Sequence, residues 1–261
     1  MNDITTDFSI LLPALIAGLL VAISHVPLGQ QVLSRGIVFI DLAIAQVAAL
    51  GVIIANRFEL PVDGWGAQAA AAAAALAGAL LLTWTERKRP EVQEALIGIL
   101  FVLASTAQIL LLANDPHGGE NLKDLLAGQI LWVSNAQLIR AAVLTAVFAL
   151  VWFTGRQHIG RIGFYVLFAL VVTSSVQLVG VYLVFTTLIV PAVATYRHRP
   201  GRQLLYGYLL ALGSYVVGLG VSLVTDLPSS PVIVWAMGVL GLVVHLTGRN
   251  ATGVAPRASS E

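Results

Sequence analysis

GIVFIDLAIAQVAALGVIIAN, residues 36–56, decides the fold of this chain. The run is as long as a membrane-crossing helix, which needs roughly 20 consecutive apolar residues. Inside it stand an aspartate, Asp41, and a glutamine, Gln46. An ionised side chain at the centre of a membrane helix costs about 2.5–3.5 kcal/mol on insertion scales. Asp41 therefore needs a reason to be there. The rest of the sequence fixes its setting. Of 261 residues, 58% are hydrophobic and 10% charged, and the mean hydropathy is +0.89. A soluble domain carries about 25% charged residues, and one of this size has too much surface for its volume to hide so much apolar area. The solvent for this chain is a bilayer. A net charge of +1 gives no reason to expect a nucleic-acid partner. The absence of cysteine excludes disulfides, thiolate metal sites and cysteine nucleophiles. The N-terminus, MNDITTDFSILL, begins acidic and lacks the basic region of a cleavable signal, so the first apolar run reads as a mature span.

Nine segments are candidate spans: about 8–33, 36–56, 65–84, 91–113, 135–154, 161–178, 181–196, 203–225 and 230–247. The first is long enough to tilt, or to contain a turn near Pro27 and Gly29. The seventh, 181–196, is short and holds Pro191, so it either spans or re-enters, which would reduce the count to eight. An all-α polytopic membrane protein is expected, with one transmembrane domain over residues 1–249 and a polar, disordered cytoplasmic tail over 250–261. With the N-terminus outside and the C-terminus inside, eleven of the fourteen basic residues fall on the inner side, as the positive-inside rule requires. The alanine run at 69–75 suits a closely packing helix.

Asp41 either lines a water-filled path or pairs with Arg35, six residues before it at the cytoplasmic end. Gln46 lies about 140° around the helix from Asp41, on an adjacent face. A second polar cluster, VVTSSVQLVG at 171–180, offers Thr173, Ser174, Ser175 and Gln177, which either bind helices together or line the same path. His25 is a candidate metal ligand or a helix-to-helix donor. His117 lies beside Asp115 and Glu120 in an outer loop and reads as solvated; His158 and His198 sit among arginines and read as surface residues. There is no phosphate-binding loop, no Gly-rich nucleotide fingerprint, no HExxH and no visible nucleophile–base set. The chain is thus not expected to be an enzyme, and any ATP must be handled by another chain.

Five ordered stretches resemble the integral-membrane permeases of the zinc/manganese/iron-chelate family of ABC importers. They are PLGQQVLSRGIVFIDLAIAQVAALG, EALIGILFVLAS, LLAGQILWVS, VQLVGVYLVFTTLIVPAVAT and DLPSSPVIVWAMGVLGL. The second resembles the family's E-x-x-I-G-I-x-F, the third its L-F-G-x-I-L-x-V, the fourth a V-G-x-L-L-V run closing on Pro-Ala-Ala, and the last a D-x-P-x-G-P-x-I-V. The resemblance implies a homodimeric permease in a bacterial inner membrane. Cytoplasmic ATPase subunits would power it, and an extracytoplasmic binding protein would deliver a divalent metal, zinc or manganese, as substrate, with no cofactor bound by this chain. The residues themselves offer a candidate translocation path along Asp41, Gln46, Ser174, Ser175 and Gln177, with Asp41, Gln46 and His25 as the candidate metal contacts.

Two departures qualify this. The family's second span carries G-D-x-x-S-H, an Asp and a His four apart on one face, a spacing that suits a divalent cation. Here Asp41 stands where the family has Gly, Leu42 where it has Asp, and Gln46 where it has His. Asp41 has either taken over one position away, with Gln46 as a weaker oxygen, or the substrate differs. The family's long ATPase-docking loop is also reduced to TGRQHIGR, residues 154–161. Docking would then pass to Arg87, Lys88 and Arg89, to Arg156, and to Arg197, Arg199 and Arg202. The rival readings are a permease-like membrane scaffold without ATP coupling, and a transporter of a non-metal substrate.

Overall fold

The computed structural model describes residues 3–58, 65–113, 115–155 and 159–251, and among these the chain is helical with no strand. Ten α-helices follow in order: α1 (Asp3–Arg35), α2 (Ile40–Arg57), α3 (Trp65–Lys88), α4 (Gln93–Leu112), α5 (Gly118–Ala127), α6 (Asn135–Gly155), α7 (Arg161–Val179), α8 (Val181–Thr195), α9 (Pro200–Thr225) and α10 (Ser229–Ala251). Eight of them, all but α5 and α8, are long and apolar enough to cross a membrane. The short seventh segment forms α8, whose 15 residues reach about 22 Å at 1.5 Å per residue, less than the roughly 30 Å of a hydrocarbon core. The tail beyond residue 251 and Arg156 lie outside the described residues.

Helices α2 and α7 lie in the interior, together with the short α8, most of whose residues are buried. Two thirds of the spanning windows of α2 and α7 are buried (67%), against 17% for α4 and α6. The outer helices present Leu103, Leu110, Leu150 and Trp235 outward, as befits a surface that meets lipid tails no more polar than leucine. Between α2 and α3 the packing is close because the side chains are small. Ala71 and Ala75 are fully buried, and a Cβ on Gly51 would crowd the Ala70 carbonyl and Ala74. The alanine run does pack closely.

Of the two alternatives for the first segment, a tilted span or a turn near Pro27 and Gly29, the turn is not formed. Helix α1 runs straight through both residues. Pro27 has no N–H to give the carbonyl four residues back. That carbonyl, on Ile23, accepts the Tyr208 hydroxyl of α9 at 3.1 Å instead, so the freed backbone group is satisfied inside the bundle. Gly29 permits a close approach of α1 to α8, where any Cβ would fall on the Leu188 carbonyl.

The chain reverses between α7 and α8 at Gly180, with φ +81°, directly against Gly128, with φ +71°. Only glycine adopts such dihedrals without strain, and a Cβ on either would collide with the other's backbone. This contact pins the segment after α5, including the 3₁₀ turn Ile130–Trp132, to the joint of α7 and α8. The Ser230 hydroxyl of α10 donates to the Val179 carbonyl at the same place.

The opposite end of the bundle is basic. There the Arg35 guanidinium lies 4.0 Å from the centre of the Phe164 ring, and Arg161 Nε is 3.7 Å from Glu86 Oε2. Arg35 is therefore engaged with an aromatic face rather than with Asp41. Glu94, the glutamate of EALIGIL, accepts the Phe39 N–H at 3.2 Å. It caps the N-terminus of α2, where an orphan donor and the positive helix end both favour a carboxylate.

Candidate functional site

At the end away from the basic cluster, α2, α6, α7 and the α4–α5 connection enclose an open cavity of about 900 Å³. Its walls carry Arg57 at the end of α2, Asp115 and Asp124 around α5, Trp132, Arg140 on α6, and Gln177 on α7. Local structure fixes several of these groups. Arg57 Nη2 donates to the Leu111 carbonyl at 2.8 Å, joining the ends of α2 and α4. Asp115 Oδ1 accepts the His117 N–H at 2.9 Å, shaping the turn into α5. The Gln137 Oε1 accepts the Ser134 N–H at 2.8 Å, which builds the start of α6.

The structure distributes the sequence candidates over three places. Gln177 lines the large cavity. Ser174 and Ser175, less than a turn away, line a separate void of about 10 Å³ between α1, α6 and α7, room for about one water molecule. Gln46 lies deeper in the bundle and is engaged: Gln108 Nε2 of α4 donates to Gln46 Oε1 at 2.6 Å and to its backbone carbonyl at 2.9 Å. Asp41 sits in the first turn of α2 with 0% exposure, and neither of its carboxylate oxygens accepts a hydrogen bond within the chain. The helix N-terminus gives it a favourable field, and Arg35 gives it no ion pair. His25, also fully buried, places Nδ1 3.0 Å from both the Val21 carbonyl and Ser24 Oγ, while Nε2 has no partner. Among the described residues no three His, Asp or Glu side chains converge as a metal centre.

Helix α2 links these places. It carries Val52, Ile53, Asn56 and Arg57 on the cavity wall. Gln46 and Asp41 lie on the same helix about 9 Å and 16 Å below Val52, at 1.5 Å per residue. Gln108 and the two cavity arginines did not stand out in the sequence. A lone glutamine in the apolar run of α4 was the available signal for the first. Arg57 and Arg140 are, with Lys123, the three basic residues outside the eleven that the sequence assigns to the inner side.

The candidate docking residues form two exposed groups. Arg87 and Lys88 end α3, and Arg89 follows, 4.0 Å from Glu91. Arg197 Nε donates to the Tyr196 hydroxyl at 2.7 Å, Arg199 precedes α9, and Arg202 is in its first turn.

Eight helices long and apolar enough to cross a membrane, with a charged cavity at one end of the bundle, define a polytopic membrane protein. The family follows from the sequence itself: the model of the ABC 3 transport family matches residues 7–164 and 156–248, and the chain belongs to that family. The motif resemblance thus holds at the level of the family. Two solved structures share the fold. One is PsaBC from Streptococcus pneumoniae in complex with Fab, with TM-score 0.74, 21% identity and 90% of each chain covered. The other is described as an inward-facing conformation of a metal-chelate type ABC transporter, with TM-score 0.66, 18% identity and coverage of 90% of this chain and 85% of that one. No curated protein matches the chain.

Proposed function

We propose that the chain is the membrane-spanning permease subunit of an ABC importer for divalent metal, zinc or manganese, in a bacterial inner membrane. Membership of the ABC 3 transport family over nearly the whole chain carries this reading. Two copies form the pore, with the N-terminus outside and the C-terminus inside. A separate ATPase docks on the basic end through Arg87, Lys88, Arg89, Arg156, Arg197, Arg199 and Arg202. An extracytoplasmic binding protein delivers cargo to the cavity at the other end. From Gln177 in that cavity the path passes Ser174 and Ser175 and descends along α2 by Gln46 to Asp41. Burial of the unpaired Asp41 supports a role in this path, since a carboxylate without a partner is retained in a membrane interior for function.

A second reading, a permease for a non-metal solute, is favoured by one observation. The amide at Gln46, where the family places a metal-binding histidine, is bonded to Gln108. The test of the first reading is copurification. The tagged chain should bring down an ABC ATPase, whose ATP hydrolysis rises in its presence. A chain that purifies alone from its native membrane would favour a scaffold instead.

A further inference from the structure

Helix α8 is buried over most of its length, yet it keeps one open stripe. Tyr182 is 51% exposed, Val193 42% and Tyr196, just past its end, 48%. Phe185 and Ile189 lie half-buried between them. Spaced three and four apart, these positions fall on one face at about 100° per residue. Phe39, just before α2, is 49% exposed. Its ring stacks on that of Phe185, with centroids 6.4 Å apart and planes 9° from parallel, and widens the stripe. None of these residues is charged.

Neither lipid nor water suits this face. The inner end of α8 runs into a turn holding Arg197 and Arg199, which belongs at the membrane surface. At about 22 Å long, the helix then stops roughly 8 Å short of the opposite edge of a 30 Å hydrocarbon core. Over that end lies the segment pinned by Gly128, non-helical at residues 128–129 and 133–134, with Gln129 and Ser134 exposed. Irregular polar backbone at such depth is tolerated against protein or around water, and not against lipid. Water in turn is a poor solvent for the apolar and aromatic stripe below it. A protein surface that covers the stripe and leaves water above it suits both.

We infer that this stripe is the face on which a second copy of the chain packs, α8 beside α8. The inference rests on the two-copy reading and names its contact. Two copies inserted in the same orientation are related by a two-fold axis along the membrane normal, so a stripe at the axis meets itself residue for residue. Because the stripe is uncharged, that contact brings no like charges together. At about 150–250 Å² per aromatic side chain, the half-exposed Phe39, Tyr182 and Tyr196 with Val193 offer roughly 300–400 Å² per copy, about half of the 800 Å² per partner of a standard interface. The flanking parts of α2 and α10, which pack beside α8, supply the rest. Asp41 is two residues beyond Phe39, so the axis passes by the proposed path in both copies.

The chain contains no cysteine, so a single introduced thiol reports alone. Ile189→Cys and Val193→Cys, each expressed with the ATPase and treated in membranes with a membrane-permeable bismaleimide, should shift from the 27.5 kDa chain to a covalent dimer of twice that mass. Both replacements are small and lie at open or half-open positions, which protects folding. Leu150→Cys, at a position 65% exposed on α6, should stay monomeric. Native mass spectrometry of the complex without crosslinker counts the copies. Two copies whose α8 thiols crosslink no better than Leu150→Cys overturn the α8 contact and leave the two-copy permease standing. A single copy in the complex defeats both.

Discussion

The Gln46–Gln108 pair allows a quantitative test of how α2 is held. Gln46 is 3% exposed and Gln108 0%, so replacing one strands the other. Gln108→Leu keeps the approximate volume and removes both donors to Gln46. Polar contacts between membrane helices are worth about 0.6 kcal/mol on average and up to about 1.7, and a buried group left unsatisfied costs about 1–3 kcal/mol. The expected loss is about 1–2 kcal/mol. At about 2–4 °C per kcal/mol for a chain near this size, the unfolding midpoint in detergent should fall by about 2–8 °C. The double variant Gln46→Leu, Gln108→Leu replaces both partners with apolar groups and should recover most of the loss, giving a coupling of about 2 kcal/mol in the double-mutant cycle. Intrinsic fluorescence during thermal unfolding measures all four proteins. A Gln108→Leu chain as stable as the wild type, or a double variant whose losses simply add, would refute the pairing.

Further outcomes follow from the same geometry. Gly180→Ala should cost about 2 kcal/mol or more, through its positive φ and its contact with Gly128; Gly213→Ala, whose Cβ meets nothing within 4 Å, should be neutral or stabilising by about 0.5–1 kcal/mol. Size-exclusion yield and unfolding midpoint distinguish the two. Reversing the charge of Arg197, Arg199 and Arg202 together should release the ATPase in a pull-down while the chain still folds; retention would place docking elsewhere. Reporter fusions after residues 64 and 89 should read outside and inside respectively, and the same compartment for both would break the topology.

Much of the fold was legible because a membrane span is written in the length of an apolar run, which needs no partner to be read. Every proposed span falls largely on a helix, with residues 36–39 forming the turn before α2, and the short segment at 181–196 does form a helix too short for an ordinary crossing. The sequence misled where a distant partner decides the outcome. Pro27 left a turn open beside a continuous span, and the Tyr208 hydroxyl, 185 positions from Ile23, satisfies the freed carbonyl of the continuous helix. Arg35 stood near Asp41 in sequence, yet Phe164 holds its guanidinium. Gln46 looked like a substitute ligand, and its partner Gln108 is 62 positions away. The cavity is assembled from the ends of several helices, so no single stretch carries its signature; of the path candidates, only Gln177 in a polar cluster pointed to its wall.

Metal accumulation tests the central claim most directly. The chain, expressed with its ATPase and binding protein in cells lacking their own zinc and manganese importers, should restore energy-dependent accumulation of one of these metals. Asp41→Asn keeps the side chain's shape and removes its charge, so it should fold and associate as the wild type does and abolish that accumulation. Normal accumulation by Asp41→Asn would leave the buried carboxylate with no part in transport. Failure of the wild type to accumulate either metal, at verified expression of all three components, would contradict the account.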